Sequence, residues 1–260
     1  MIHHNAARAT AFRAMHRPGN PVVLYNIWDA GSAAALRDAG ATALATGSWP
    51  MAAAQGYPDG QQMPFKAVLT AVARITATVD LPVTVDFEGG HATEPNDIAA
   101  NLIRLVDVGA IGVNFEDQVI GGTGLYDIDM QARRITAIRA AATAQGLPLV
   151  INARTDMFLK AASASDHAAL LHQALARATA FAKAGADSIF VPGLSDLVLI
   201  GAFCANSPLP VNVLATDPHA PLQPLHDAGV GRISFGPHPY RRMMKALQAD
   251  FLALNQPTKS

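Results

Sequence analysis

The chain has 260 residues; 50% are hydrophobic, 15% are charged, and 19 Lys and Arg residues oppose 20 Asp and Glu residues for a net charge of −1. This apolar composition excludes a disordered chain, and the charge balance leaves no basic field for nucleic acid. No apolar run approaches the ~18 residues that span a membrane, and the length suits one domain, residues 1–260. The single cysteine, Cys204, excludes an internal disulfide and indicates a reducing, cytoplasmic compartment.

The first segment, residues 1–17, predicts a helix across one end of the domain. Ala11, Phe12 and Met15 would form its apolar face, and the Pro-Gly-Asn sequence that follows would end it. Because the segment is rich in Arg and Ala and has no acid, an organelle transit peptide is the alternative interpretation.

Eight short apolar runs follow, most of them separated by segments with helical periodicity. Each run is nearly continuous, which is typical of a buried strand in a parallel sheet. Proline precedes the odd-numbered runs and a helix-ending glycine the even-numbered ones. Eight β/α units predict an α/β fold, a (β/α)8 TIM-type barrel, rather than a doubly wound sheet, because no Gly-x-Gly-x-x-Gly follows the first run. The predicted strands are residues 22–27, 42–46, 83–87, 111–115, 149–153, 188–191, 211–214 and 232–235.

Three acids lie where the third and fourth strands end, which is where the active site of such a barrel forms. Asp86 and Glu88 are two residues apart, so both carboxylates face the same side, and Glu116 follows the fourth strand. Three like charges repel unless a cation lies among them, and oxygen ligands favour Mg²⁺, with Mn²⁺ also possible. The alternatives are salt-bridged residues at the barrel rim, or a helix cap in the case of Asp86.

Other polar residues at the strand ends are candidates for substrate binding. Arg154, after the fifth strand, can bind a carboxylate or phosphonate of the substrate, or it can pair with Glu116 or Asp156. Gly47 and Ser48 end the second strand with two adjacent N–H groups that could hold an oxyanion, although such a pair is common in turns.

The histidines, lysines and cysteine narrow the chemistry. His238, just past the eighth strand, can protonate an enolate or bind a second carboxylate, or it can simply begin a helix. We expect His91 to be solvated and Cys204 to be a small buried hydrophobic residue in a helix. No lysine lies at a strand end and no zinc-type histidine pattern occurs, which argues against a Schiff-base aldolase and a zinc hydrolase.

Several motifs, in their order and spacing, resemble the isocitrate lyase/phosphoenolpyruvate mutase superfamily over nearly the whole chain. The resemblance implies a Mg²⁺-dependent barrel that acts on 2-oxo or 2-hydroxy acids through a pyruvate-like enolate. The motifs are Asn26-Ile27-Trp28-Asp29-Ala30, Gly56-Tyr57-Pro58-Asp59-Gly60, Asp86-Phe87-Glu88-Gly89-Gly90, Asn114-Phe115-Glu116-Asp117-Gln118, Asn152-Ala153-Arg154-Thr155-Asp156 and the segment 184–193.

The resemblance also implies roles for individual residues. The metal would be bound directly by Asp86 and through water by Asp59, Glu88 and Glu116. The substrate would contact Trp28, the Gly47 and Ser48 amides, and Arg154. We place Asp59, Arg154 and His238 among the catalytic residues. The family forms tetramers by exchange of a C-terminal helix, here residues 238–254, so we expect a homo-oligomer, either a dimer or a tetramer.

The loop of residues 118–126, after the fourth strand, departs from the family. It lacks the Lys-Lys/Arg-Cys-Gly-His sequence whose cysteine is the acid/base of isocitrate and methylisocitrate lyases, and it lacks the Lys and Asn of phosphoenolpyruvate mutase. Trp49 also stands where relatives have small residues, and it either reshapes the substrate pocket or packs under this loop.

Three functions are therefore compatible with the sequence. The first is a Mg²⁺-dependent carbon–carbon lyase or decarboxylase that acts on a 2-oxo or 2-hydroxy dicarboxylic acid such as an oxaloacetate-like substrate. The second is cleavage or transfer at a P–C bond, by a phosphonomutase or phosphonopyruvate hydrolase. This function would be favoured if the 118–126 loop placed a hydroxyl, such as that of Thr123, over the bound ligand. The third is a 2-oxo-acid binding protein without turnover.

Overall fold

The structure, a computed structural model, describes residues 2–254 and confirms the predicted barrel. All eight strands pair in parallel in the order β1-β8-β7-β6-β5-β4-β3-β2. A parallel bridge between Ile27 and Thr46 joins the two ends of this order. The strands are β1 (Val22–Leu24), β2 (Leu44–Ala45), β3 (Val83–Asp86), β4 (Gly112–Glu116), β5 (Val150–Arg154), β6 (Ser188–Phe190), β7 (Val211–Leu214) and β8 (Arg232–Ser234).

Helices surround the strands, and their apolar faces cover the barrel. In α5, for example, the buried residues Ile98, Leu102 and Leu105 recur at the spacing of one helical face. None of the helices in the described part of the chain combines the length and apolar character that a membrane crossing requires. The helices are α1 (Ile2–Ala14), α2 (Ala30–Asp38), α3 (Ser48–Ala54), α4 (Phe65–Thr78), α5 (Pro95–Asp107), α6 (Ile128–Ala144), α7 (His167–Lys183), α8 (Leu197–Asn206), α9 (Gln223–Asp227) and α10 (His238–Leu254), with a 3-10 turn at Ala164–Asp166.

Helix α1 confirms the predicted N-terminal helix, with Met1 outside the described residues. It packs against the end of the barrel where the strands begin, since Arg13 donates to two carbonyls at the entry to β5. The predicted apolar face is partly wrong, because Phe12 is buried but Ala11 is exposed. Ala9 is buried instead, since residues three apart lie on the same side of a helix.

Five of the strands, β1, β2, β3, β6 and β8, end earlier than predicted, whereas β4 and β5 end one residue later. The end of β1 shows one physical reason for an early end. Beyond Leu24 the regular ladder gives way to bonds from one buried side chain, Asn26. Its amide donates to the Thr46 carbonyl at 2.9 Å and accepts from the backbone N–H groups of Phe235 and Gly236 at 2.9 and 2.8 Å. Asn26 thus ties the ends of β1, β2 and β8 together at the face where the site lies.

The barrel interior carries a polar layer beneath the strand ends. Asn114 of β4 accepts a hydrogen bond from Arg232 of β8 across the barrel at 3.1 Å, so both side chains point inward. Asn152 donates to the same Asn114 oxygen at 2.8 Å, and Ser188 donates to Asn152 at 2.6 Å. All four residues are buried. Because Glu116 follows Asn114 by two residues, this layer forms the floor of the site.

His16, directly after α1, is buried at the opposite end of the barrel. Its Nδ1 lies 2.9 Å from the Phe12 carbonyl, and its ring meets the Phe12 ring edge-on with centroids 4.8 Å apart. Burial, followed by the positive charge of Arg232, lowers the pKa of His16 to about 3. The imidazole is therefore neutral in the folded protein over a pH range in which the unfolded chain is protonated.

Mild acid should therefore destabilise the protein through His16. The unfolded chain takes up a proton below pH 6.5 and the folded protein only near 3, so this stabilisation is complete above 6.5 and is lost as the pH falls toward 3. Between pH 7 and pH 5 the free energy of unfolding should drop by about 2 kcal/mol from this residue. Urea titrations measure the drop, which should be about 2 kcal/mol smaller in His16→Gln than in the wild-type protein, since other groups such as His91 also titrate. It should be unchanged in His172→Gln, a substitution at an exposed residue of α7. A drop of the same size in His16→Gln would contradict the assignment.

Candidate active site

Acidic and basic side chains from three neighbouring strands meet at the carboxyl end of the barrel. Asp86, Glu116 and Arg154 are the last residues of β3, β4 and β5. Glu116 pairs with Arg154 in the strand register, and Glu88 follows Asp86 by two residues. Parallel pairing thus brings together residues that lie about thirty to forty positions apart in the sequence.

Asp86 has one satisfied and one unsatisfied carboxylate oxygen. Its Oδ2 accepts from the Ser48 N–H at 3.0 Å and from the Ser48 hydroxyl at 2.8 Å. Its backbone N–H donates to the Thr46 hydroxyl at 2.9 Å, which fixes the end of β3 against β2. The Oδ1 atom is buried and has no hydrogen-bond partner among the described residues. An anionic oxygen buried in this way needs a cation or an ordered water.

Glu88 lies in a left-handed turn just beyond β3, with φ of 50°. Its Oε1 accepts from the Gln61 N–H at 2.9 Å, and its Oε2 lies 3.7 Å from His91 Nε2. Burial, with the negative charge of Asp86 next, raises the pKa of Glu88 to about 8. Asp59 is exposed in the loop between α3 and α4, yet its charge contributes to the raised pKa of Glu88.

His91 is not solvated, so the expectation for this residue is wrong. Its side chain is 7% exposed, and its ring lies 4.7 Å from the Phe65 ring and 6.3 Å from the Phe87 ring, measured between centroids. Its φ of 51° turns the chain back over the barrel, which a sequence pattern does not show. Burial lowers the pKa of His91 to about 4, so the ring is neutral beside Glu88.

Arg154 pairs with both acids that the sequence offered as partners. Its Nη1 lies 2.9 Å from Glu116 Oε2, while Nε and Nη2 contact the two Asp156 oxygens at 2.5 and 2.9 Å. Burial works to lower the pKa of Arg154, but Glu116 and Asp156 outweigh it and the net shift is upward. Burial raises the pKa of Glu116 to about 8, against the lowering effect of Arg154. These contacts use three of the five guanidinium N–H groups and leave two for a ligand.

The candidate residues that follow β2 and β8, namely Gly47, Ser48 and His238, line the other side of the site. The Gly47 N–H donates to the Ile27 carbonyl at 3.0 Å, and the Ser48 N–H is taken by Asp86. A substrate oxygen would therefore have to displace a bond to use them, and the oxyanion cradle stays a prediction. His238 is the first residue of α10; it is half-buried, and burial lowers its pKa.

Three aromatic residues close the rim between β1, β2 and α10. The Tyr240 ring meets the Trp28 and Trp49 rings edge-on, with centroids 5.2 and 5.8 Å apart. The Arg241 guanidinium lies 4.6 Å from the Trp49 ring centroid. Trp49 thus packs against α10 rather than under the 118–126 loop.

The 118–126 loop forms a small hairpin that carries neither cysteine nor histidine. A bridge between Gln118 and Leu125 closes it, and Thr123 is exposed near its tip. Cys204 lies in α8 instead, partly buried against the core, and burial raises its pKa to about 11. A thiol there cannot replace the cysteine of the lyase loop.

The acid cluster fits a cation held largely through water. Within residues 2–254, no group of three or more His, Cys, Asp or Glu side chains is arranged to ligate an ion directly. The cleft beside Asp86 and Glu88 has an open volume of about 10 Å³, room for about one water-sized sphere, so a hydrated ion and a substrate would enter only if the cleft widens. Mg²⁺ usually keeps several waters and binds proteins through one or two carboxylates, and the partnerless Asp86 Oδ1 supplies such a contact.

Several supporting residues of the site were missed by the sequence analysis. Thr46 and Gln61 hold Asp86 and Glu88, and Arg177 pairs with the buried Asp117 at 2.9 Å. Such residues could have been found in the sequence as polar or charged residues at positions where the hydrophobic pattern predicts a buried side chain. Arg177, on the buried face of α7, is an example.

A parallel barrel with buried acids at the carboxyl ends of its strands is the architecture of an enzyme that acts on small molecules. Residues 12–254 match the family model described as phosphoenolpyruvate phosphomutase, and the chain belongs to that family. This confirms the resemblance to a superfamily whose members are lyases and mutases.

Three relatives illustrate the range of that superfamily. The chain is 48% identical to a putative phosphonomutase from Burkholderia cenocepacia J2315, whose crystal structure gives a TM-score of 0.91 over 94% of this chain and 97% of that one. It is 28% identical to the 2-methylisocitrate lyase of Escherichia coli K12 over 95% of this chain and 84% of that protein. A phosphonopyruvate hydrolase solved with oxalate and Mg²⁺ is 21% identical, with a TM-score of 0.82 over 95% of this chain and 86% of that one, which shows a shared fold.

Proposed function

We propose that the protein is a Mg²⁺-dependent lyase or decarboxylase that cleaves a carbon–carbon bond in a small 2-oxo or 2-hydroxy dicarboxylic acid, such as an oxaloacetate-like substrate. The observation that carries this proposal is the buried, partnerless Asp86 Oδ1 beside two acids with raised pKa values. We also propose that the protein acts in the cytoplasm, because a chain with a single cysteine cannot form an internal disulfide and is typical of a reducing compartment.

The metal would be held directly by Asp86 and through water by Glu88, Glu116 and Asp59; Mn²⁺ could replace Mg²⁺. A bound divalent ion supplies Lewis acidity, which stabilises negative charge on an enolate oxygen. The magnesium named with the phosphonopyruvate hydrolase structure supports this choice of ion.

Arg154 would bind a substrate carboxylate with its two remaining N–H groups. Asp156 and Glu116 hold the guanidinium plane on two sides, so little rotational freedom is lost on binding. Trp28, whose ring is fixed by Tyr240, would pack against the planar 2-oxo acid. The Gly47 and Ser48 amides would contact its oxygens if the bonds from Gly47 to Ile27 and from Ser48 to Asp86 are exchanged on binding.

His238 and the 118–126 loop would control protons and water. Burial, followed by the positive charge of Arg241, lowers the pKa of the half-buried His238, which favours the neutral imidazole that can accept a proton at the rim. The loop would exclude water but supplies no cysteine or histidine. Loss of carbon dioxide requires no acid at the leaving group, and the enolate that remains can take its proton from water or His238. Cleavage of the isocitrate type instead leaves a carboxylate carbanion that a group of the loop would have to protonate, so we favour decarboxylation.

P–C chemistry is the second candidate, because the relative that is 48% identical is named a putative phosphonomutase. A phosphonomutase or phosphonopyruvate hydrolase would need a group such as the Thr123 hydroxyl to approach the ligand from the 118–126 loop. A 2-oxo-acid binding protein without turnover is the third candidate, since the loop carries neither cysteine nor histidine.

A substrate panel distinguishes these candidates. Oxaloacetate, 2,3-substituted malates and phosphonopyruvate are incubated with protein and Mg²⁺. Release of pyruvate and related 2-oxo acids is followed, together with formation of phosphoenolpyruvate, the product that a phosphonomutase would give. We expect turnover of oxaloacetate or a malate, and Arg154→Gln should lower kcat/KM at least roughly 30-fold, since loss of one partner of a buried charge pair costs about 2–5 kcal/mol. Arg133→Gln, at an exposed residue of α6 outside the site, is the control. Turnover of phosphonopyruvate alone would contradict the first candidate, and tight oxalate binding without any turnover would favour the third.

We further propose that the protein self-associates through α10. Met243, Leu247 and Leu254 are 55%, 62% and 83% exposed on this helix, and an apolar cavity of about 390 Å³ lies between Met243 and Trp28. Sedimentation equilibrium should give a dimer or tetramer that Leu247→Glu disrupts, whereas Val198→Glu on α8 should leave it intact. A monomeric wild-type protein would contradict this.

A further inference from the structure

Helix α6 carries two polar side chains, Gln131 and Arg134, on the face that packs against the barrel. They are 0% and 1% exposed, on the same buried face as Ile135 and Ile138. They lie one helical turn apart, and Arg134 Nη1 donates to Gln131 Oε1 at 2.6 Å. A buried charge costs several kcal/mol unless its partners compensate, so the groups that Arg134 contacts indicate what it does.

Arg134 holds the turn that carries Glu88. Its Nη2 donates to the Gly89 carbonyl at 2.6 Å and contacts the Ala92 carbonyl at 3.4 Å. Glu88 has φ of 50°, a left-handed conformation that costs of order 1–3 kcal/mol for a residue other than glycine and persists only where its surroundings enforce it. The hydrogen bond from Arg134 to the carbonyl of Gly89, the residue after Glu88, is such a constraint and holds this turn.

Gln131 holds the second acid in the same way. Its Nε2 donates to the Glu116 carbonyl at 3.0 Å, and the Glu116 N–H donates in turn to the Glu88 carbonyl at 3.0 Å. The two side chains of α6 and the peptide groups of the two acids therefore form one continuous hydrogen-bonded chain.

The guanidinium of Arg134 also lies between two aromatic rings. Its carbon is 4.9 Å from the Phe115 ring centroid and 4.1 Å from the Tyr126 ring centroid. Tyr126 is the last residue of the 118–126 loop, and its N–H donates to the Asp117 carbonyl at 2.8 Å. In the described part of the chain no carboxylate is in ion-pair contact with Arg134, so carbonyl oxygens and ring faces compensate its charge.

We propose that Gln131 and Arg134 are positioning residues, which fix Glu88 and Glu116 relative to each other and couple both acids to the exit of the 118–126 loop. The importance of this arrangement for metal binding rests on the proposed function, in which both acids hold metal-bound water. Removal of groups that orient metal-binding residues typically lowers metal affinity 10–100-fold.

Arg134→Gln tests the proposal, with Arg139→Gln as the matched control on the same helix. Arg139 is also partly buried, but it donates to the Gly185 and Leu149 carbonyls and to Asp187 at the opposite end of the barrel. Two quantities are measured for each variant: the Mg²⁺ dissociation constant by calorimetry, and amide hydrogen exchange by NMR without metal.

We expect Arg134→Gln to raise the Mg²⁺ dissociation constant roughly 10–100-fold and to speed exchange at Gly90, Glu116 and Tyr126. Arg134→Lys keeps the charge and a single donor group, so it should retain part of the wild-type Mg²⁺ affinity and part of the wild-type protection from exchange. Arg139→Gln should leave the Mg²⁺ dissociation constant unchanged.

Unchanged exchange at these amides in a folded Arg134→Gln protein would overturn the proposal, as would equal effects in Arg139→Gln. If Arg134→Gln does not fold, the same comparison is made with Arg134→Lys, for which a wild-type Mg²⁺ dissociation constant and wild-type exchange would overturn it. If the wild-type protein binds no Mg²⁺, the proposed function fails, and the exchange pattern alone then decides whether Arg134 positions the two acids.

Discussion

The burial of several carboxyl groups close together at the ends of β3 and β4 is the constraint on which the site depends. Glu88 and Glu116 both have pKa values raised to about 8, chiefly because burial removes them from water. A fold whose stability alone mattered would expose such groups or replace them. Instead, the chain surrounds them with donors: Arg154 beside Glu116, and the Gln61 N–H beside Glu88. These contacts compensate the acids only in part, and Asp86 Oδ1 remains without a partner.

The barrel makes this arrangement possible because its parts are rigid. The register of the parallel strands sets the positions of Asp86, Glu116 and Arg154 along the barrel axis. The buried polar layer that contains Asn114 and Arg232 lies under them in the barrel interior. Because the backbone register and the layer beneath fix their positions, the acidic side chains cannot move apart to reduce the repulsion between them. A divalent ion bound among them would gain both the attraction of the acids and the relief of that repulsion. In this view the unfavourable burial of the acids and their affinity for a metal have the same origin.

Much of this could be predicted from the sequence, because the signals were local. The eight apolar runs, with proline or glycine at their entries, are sufficient for the barrel, and Asp86, Glu88 and Glu116 follow from their positions at strand ends. His91 could not be predicted, since its burial depends on a left-handed turn that folds it onto Phe65. The bond from the Ser48 N–H to Asp86, like the contacts of Arg134, joins segments far apart in the chain, so only the folded structure reveals it.

The central claim is that a divalent cation binds at Asp86 and compensates the neighbouring acids. A Mg²⁺ titration of the wild-type protein and of Asp86→Ala, each followed by oxalate or oxaloacetate as ligand, tests it most directly. Asp107→Ala, at the exposed end of α5, is the matched control. We predict that Mg²⁺ binding and Mg²⁺-dependent ligand binding are lost in Asp86→Ala and retained in the control. Unchanged Mg²⁺ affinity and ligand binding in a folded Asp86→Ala protein would contradict the account.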